Sequence, residues 1–332
     1  MPSHQLSIAF QTDKALSAYG PLAAQAEAYG FDGVTVYNDM LYQPAWLPLL
    51  EIARATRRVR IGPAAVNPFT CHPMNLAANS ALIDEASGGR AYLGLARGGW
   101  LDFVGLHPKA PITALREAFA CVRHLLRQSK EPLAGSIFPL AGGDSLRWTI
   151  ERSEIPFLLG SWGEKTVRAG LPFISEVKVG GSANPDAAAW MRGLIDSFAP
   201  NAGRQPEDIG VVMGAVTVVD EDASAARALA RQEVALYLPI VAALDPTVTI
   251  EPDRLAGMQA AAARYDFDGA AQFISDDLLA RFAFAGSPQE VAEQTAKIFA
   301  AGASRVEFGT PHGLTAESGL RLLGERVLPL LR

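Results

Sequence analysis

Two cysteines in a chain of 332 residues, Cys71 and Cys121, leave no material for a disulfide framework or a zinc-ligand spacing. Histidine is nearly as scarce, five in all, and none falls in an H-E-x-x-H pattern; the G-x-S-x-G elbow of serine hydrolases is missing too. No apolar run approaches the roughly 18 residues needed to cross a bilayer. The opening residues lack the charged start and long apolar stretch of a secretory leader. Basic residues number 29 against 35 acidic, a net charge of -6, which excludes a general attraction to nucleic acid or anionic membrane. The densest basic run, Arg54, Arg57, Arg58 and Arg60, reads as a solvated helix end. What remains is a cytoplasmic protein whose partner is a small molecule.

Hydrophobic residues make up 49% of the chain and charged ones 19%, ordinary for a soluble domain. Short apolar runs alternate with helical periodicity. Strands are expected at 6–10, 33–38, 59–66, 90–96, 155–160, 173–180, 209–219 and 304–309. Helices are expected at 17–29, 46–56, 73–86, 113–128, 163–170, 185–198, 222–236 and 315–331. Eight β-then-α units imply a parallel sheet, and at this length a closed (β/α)8 barrel, a TIM barrel forming one domain. No G-x-G-x-x-G fingerprint follows the first strand, which weakens the open-sheet alternative. Segments 131–150 and 237–285 exceed ordinary connector length and are expected to cover the barrel mouth.

In such a barrel the chemistry sits at the carboxyl ends of the strands. Those ends read Tyr37-Asn38-Asp39, Ala64-Ala65-Val66-Asn67, Ala96-Arg97-Gly98-Gly99-Trp100, Gly160-Ser161-Trp162-Gly163, Val179-Gly180-Gly181 and Glu307-Phe308-Gly309. Gly, Ala and Ser recur there. Turn formation accounts for many glycines, but Ala64-Ala65 has no such excuse, since alanine is a poor strand residue. Small residues at strand ends admit something broad and flat against the backbone. GSWGEKT (160–166) is either a plain βα turn or a helix start whose free N–H groups and Lys165 meet an anion. It lacks the spacing of a Walker A loop. His72 reads as a cap or loop brace, and His312 as a residue at the mouth.

The stretches "AEAYGFDGVTVYND" (26–39), "RVRIGPAAVNPFTCHP" (58–73), "IDEASGGRAYLGLARGG" (83–99), "FAGSPQEVAEQ" (284–294) and "RVEFGTPHGL" (305–314) together resemble the bacterial luciferase-like superfamily. Within it they are most similar to the branch using coenzyme F(420), typified by methylenetetrahydromethanopterin reductase. The resemblance implies a barrel with an insertion, a homodimer, a deazaflavin or FMN at the strand ends, and hydride transfer. It also implies a non-proline cis peptide on the third strand, here Ala64–Ala65. Asn38, Ala64, Ala65, Asn67, Arg97, Gly98, Gly160, Ser161, Trp162, Gly163, Lys165, Val179 and Gly180 become cofactor contacts. Tyr37, Trp46, Phe69, Trp100 and His312 become pocket walls.

The departures bear on catalysis. Many relatives carry Asp-His after strand two, where this chain has Asn38-Asp39, and Gly99 stands where the sugar-phosphate dehydrogenases place an acid. A sugar-phosphate dehydrogenase is therefore not expected. Asp39 is the first candidate proton donor, against a loop-bracing role, and Glu307 the second. The leading expectation is an F(420)-dependent reductase of a small C=N or activated C=C substrate, with no metal. The alternatives are an FMN-dependent monooxygenase and a non-catalytic, cofactor-binding or heterodimer subunit.

Overall fold

The computed structural model describes residues 4–332. Nine strands occur among the described residues: β1 Gln5–Phe10, β2 Gly33–Val36, β3 Arg60–Pro63, β4 Leu93–Ala96, β5 Phe157–Gly160, β6 Glu176–Gly180, β7 Gly210–Val219, β8 Ala283–Gly286 and β9 Arg305–His312. Hydrogen bonding runs in the order β3-β2-β1-β9-β7-β6-β5-β4, every pairing parallel. Isolated bridges Ile61–Ala91 and Val66–Leu95 join β3 to β4. The result is a nearly closed eight-stranded barrel, the expected fold.

Helices follow the strands: α1 Tyr19–Tyr29, α2 Trp46–Ala55, α3 Pro73–Ser87, α4 Pro111–Leu126, α5 Glu164–Gly170, α6 Pro185–Phe198 and α7 Ala223–Ala235. Their boundaries follow local chemistry. Gly30 and Gly88 end α1 and α3 in the left-handed region (φ 96° and 67°), where a Cβ is costly. Proline opens α3, α4 and α6, where its missing N–H has no intrahelical partner to lose. The main apolar core lies between barrel and helices: Ile8, Val34, Leu93, Leu159, Val177 and Val211 are buried outward-facing strand residues within it. No helix among the described residues is long and apolar enough to cross a membrane.

Segment 237–285 differs from its expected form. It holds four short helices, α8 Leu238–Ala242, α9 Pro252–Ala262, α10 Phe267–Ala271 and α11 Asp276–Phe282, and then β8. β8 pairs with the upper end of β7, Val216–Val219, and leads into α12, Pro288–Ala300, which a Ser287–Glu290 capping box opens. AFAG is too short and too poor in branched residues to announce itself as a strand. The last helix is also broken: α13 spans Ala316–Leu322, and wider and tighter turns carry the chain to Leu330. The basic run divides likewise. Arg54 is exposed on α2, whereas Arg60 enters the barrel and pairs with Glu176.

Candidate active site at the carboxyl end of the barrel

The barrel interior is built from alternate strand residues, and its lower half is charged. Glu176 on β6 accepts two hydrogen bonds from Arg305 on β9 (3.1 and 3.0 Å) and is reached by Arg60 at 3.4 Å. Burial alone would raise the Glu176 pKa, but Arg305 and Arg60 outweigh it and hold the carboxyl below its ordinary range. One layer higher, Lys178 forms an ion pair with Glu307. The Thr35 hydroxyl donates to Glu307 at 2.6 Å, and Arg305 stands 3.7 Å away. The Tyr92 hydroxyl lies 2.7 Å from the Thr35 hydroxyl. Tyr92, Leu158, Val212 and Ala64 form a small apolar cluster inside the barrel.

Glycines make this layer possible. A Cβ on Gly214 of β7 would sit 3.1 Å from Lys178 Cε and 3.4 Å from Glu307 Oε1. Any side chain there would push between the ions. On Gly210 a Cβ would collide first with the Ser304 hydroxyl and would lie 3.5 Å from Glu176 Cγ. β7 therefore carries glycine at 210 and 214, on either side of the inward Val212, and at 214 β6 and β9 reach one another across it.

Two residues further along the strands the interior empties. Ala65, Ala96, Gly160 and Gly180 are all half-buried. A Cβ on Gly160 would lie 3.3 Å from Ala96 Cβ and 3.8 Å from Ala65 Cβ, so these three form one continuous ledge. A Cβ on Gly180 would meet nothing within 4 Å. The Ala64–Ala65 peptide is cis, and these two residues stand between the end of β3 and the Val66–Leu95 bridge. A cradle that a methyl group would begin to fill suits a flat ring laid against backbone.

Around the ledge the expected residues separate into three groups. Gly98 (φ 85°) packs on Asn67, where a Cβ would be 3.0 Å from the amide nitrogen. Arg97 and Lys165 are exposed. The Ser161 amide bonds Lys178 O at 3.1 Å, and the Gly163 amide donates to the Ser161 hydroxyl at 3.1 Å. Tyr37, Trp46 and Phe69 are half-buried, while Trp100 is exposed and adopts a left-handed conformation (φ 51°).

A second group is braced by the protein itself. Asn67 Oδ1 accepts from the Phe69 and Thr70 amides and the Thr70 hydroxyl, and Asn38 Oδ1 accepts from the Ala45 amide. The Trp162 indole donates to Gly180 O at 3.0 Å, and Val179 is wholly buried. His72 caps α3 by accepting from the Met74 amide. Asp39 is exposed and accepts from the Gln11 side chain at 2.8 Å.

Two placements correct the expectation. Glu307 lies below the mouth, fully buried, because β9 continues three residues past the expected end at 309 and puts position 307 mid-barrel. His312 ends that strand, 3% exposed, with Nε2 3.0 Å from Ala9 O and its ring edge-on to Phe10. Burial lowers its pKa to about 4, so it is a neutral brace in the wall. The reading by strand ends missed Lys178, Thr35 and Tyr92, and it listed Ala96 at a strand end without naming it a cofactor contact. A signal existed for the first: Glu-x-Lys in β6 and Arg-x-Glu in β9 are complementary charges at strand period inside buried strands.

A parallel barrel with a stripped ledge at the strand ends defines the class, a flat-ring binding α/β barrel. The family model described as luciferase-like monooxygenase matches residues 3–305, and the chain belongs to that family. A 5,10-methylenetetrahydromethanopterin reductase of Archaeoglobus fulgidus is 27% identical over 317 residues, covering 92% of this chain and 93% of that protein. The structure of the coenzyme F(420)-dependent tetrahydromethanopterin reductase from Methanopyrus kandleri superposes with a TM-score of 0.91 at 25% identity, over 99% of this chain and 100% of that one. An F(420)-dependent secondary alcohol dehydrogenase shares the fold, with a TM-score of 0.80 at 17% identity over 99% of each chain.

Proposed function

We propose that this chain is an F(420)-dependent oxidoreductase that transfers hydride between the reduced deazaflavin and a small substrate carrying C=N or an activated C=C. The observation that carries the reading is the ledge of Ala65, Ala96, Gly160 and Gly180, with open space over Gly180. The likeness to F(420)-dependent reductases over nearly the full chain supports the choice of cofactor.

The residues present fit such a group. The backbone of Ala64–Ala65 and the faces of Ala96, Gly160 and Gly180 would support the ring. Arg97, Gly98, Ser161, Gly163 and Lys165 would meet the phosphate-bearing tail, with Arg97 and Lys165 exposed for it. When bound, the deazaflavin supplies the hydride chemistry. The protein holds the substrate and limits water, with Tyr37, Trp46 and Phe69 as walls. Asp39 stands at the rim, where solvent exchange suits a proton shuttle more than a dry donor.

Segment 131–150, between α4 and β5, lies along α4, and segment 237–285 completes the mouth beside Gly181, both as insertions of a single domain. Glu117 holds the first through the Ser136, Ile137 and Phe138 amides. Asn184, after β6, donates to Asp245 and Thr247 of the second. A cytoplasmic homodimer is part of the same reading, supported by two free cysteines and by Leu47, Met74 and Leu82, exposed on α2 and α3.

Titrating the purified protein with F(420) and with FMN tests the reading. Micromolar or tighter F(420) binding with weak FMN binding is expected. Tight FMN binding with oxygen consumption in the reduced state would instead establish the monooxygenase alternative.

A further inference from the structure

We propose that Tyr37 is the proton-donating catalytic residue, its phenol hydrogen-bonding the substrate's nitrogen or carbonyl oxygen at the floor of the mouth. The proposal rests on the oxidoreductase reading above and deepens it. Gly33 and Thr35 are the inward positions of β2, and Tyr37, just past its end, continues the alternation. Thr35 belongs to the buried ionic layer through Glu307. Tyr37 is the next inward residue, half-buried, and caps that layer with Lys178 Nζ 4.9 Å from its ring centre. On the far side, a Cβ at Gly309 would lie 2.7 Å from the Tyr37 hydroxyl oxygen. Glycine at 309 thus leaves room both for the Ala215 carbonyl, 2.6 Å from that Cβ position, and for the hydroxyl. No hydrogen bond within the described residues occupies that hydroxyl, whereas Asp39 is engaged by Gln11 and Glu307 by Thr35 and Lys178.

The surroundings keep the hydroxyl protonated and able to donate a hydrogen bond. Burial first, and then the Glu307 carboxylate, push the Tyr37 phenol well above its ordinary range. It is thus protonated at every working pH. The Lys178 ammonium under the ring, itself paired with Glu307, offsets part of the cost of negative charge forming on the oxygen. The step balances as follows. Hydride from the reduced deazaflavin adds to the carbon of C=N, or to the β-carbon of an enone. The π electrons move to nitrogen or, through the enolate, to oxygen. The Tyr37 proton goes to that atom, and the phenolate regains a proton from water at the open side of the mouth.

Tyr37→Phe removes one oxygen and keeps the ring over Lys178. Wild type and variant, each loaded with oxidised F(420), are given carbonyl-13C cyclohex-2-enone, which cannot be turned over in that state, and the bound carbonyl stretch is read by difference infrared. The wild-type band is expected at lower frequency than in Tyr37→Phe, with about fivefold weaker enone binding in the variant and equal F(420) affinity. Identical bands in the two proteins, or no bound enone band in the wild type, would overturn the assignment of Tyr37. Failure of the wild type to bind F(420) would count against the redox reading itself, which separates the two outcomes.

Discussion

In the lower barrel Glu176, Lys178, Arg305 and Glu307 fill the interior with opposed charges. Two residues further along β6 and β9 the inward positions are Gly180 and Gly309, and on β4 and β5 they are Ala96 and Gly160. The same strands thus build two unlike compartments. In the lower one every ion is paired and the glycines of β7 are spaces for neighbouring side chains. In the upper one Gly180 borders open space, Gly160 continues the alanine ledge, and Gly309 lies against the Ala215 carbonyl and the Tyr37 hydroxyl. Of these inward glycines, Gly180 is the one whose Cβ would meet no atom within 4 Å, which marks it as the position kept clear for a ligand.

The largest effect is expected below. Lys178→Met leaves Glu307 buried with one cation fewer, and removal of one partner of a buried pair costs about 3–5 kcal/mol. The double change Lys178→Met/Glu307→Leu removes both charges and recovers most of that loss. Urea unfolding of the three proteins reads the coupling. A single variant as stable as the wild type would show that the lower barrel does not depend on the pairing. F(420) affinity is expected to change little in the double variant, because the ledge is untouched.

The upper compartment should answer in the opposite way. Gly180→Leu introduces a side chain where no atom lies within 4 Å of the first carbon. Stability should stay within about 0.5 kcal/mol, as for substitutions away from strained or buried features. F(420) affinity should fall about a hundredfold, roughly 3 kcal/mol. Fluorescence titration beside thermal melting distinguishes this from the lower-barrel result. Unimpaired binding would mean that the ring lies elsewhere.

The two compartments were unequally visible before folding. Parallel strands buried on both faces announce themselves by composition, so the eight βα units could be counted and the shelf expected at Ala64-Ala65, whereas Gly160 was expected in the phosphate turn and stands instead beside Ala96 and Ala65. The short strand Ala283–Gly286 could not, because pairing with the upper end of β7 sustains it rather than its own propensity. Glu307 was visible as an acid near a strand end but not as half of an ion pair. Its partner lies on β6, across β7, and only the closed barrel brings positions 178 and 307 together.

A second buried carboxylate sharpens the contrast with Glu307. Glu117 on α4 has no cation; three backbone amides and the Ser136 hydroxyl satisfy it. Burial pushes its pKa up, but those donors outweigh it and bring the group to about 2. A depressed carboxyl stabilises the fold above its ordinary pKa of 4.5 and loses that contribution as pH falls toward 2. Glu117→Ala should cost about 2 kcal/mol and free segment 131–150 first. Limited proteolysis is expected to cut within that segment in the variant and leave the barrel intact. Cleavage elsewhere would show that the anchor is not local.

The smallest expected effect separates the wall from the floor of the mouth. Burial lowers the pKa of His312 from 6.5 to about 4, so the folded chain holds the ring neutral while the unfolded chain takes up a proton. Its contribution is complete above 6.5 and is lost as pH falls toward 4, giving about 1 kcal/mol between pH 6.5 and 5.5. That window lies above the range in which Glu117 and Glu27 lose theirs, since both carboxyls are depressed below 4.5. His312→Asn should abolish the slope in denaturant midpoint between pH 6.5 and 5.5, while the acid limb below pH 4.5 persists. An equal slope in the variant would move the proton uptake to another group. A flat wild-type profile would mean that His312 reaches water, and it would then rejoin the residues lining the pocket.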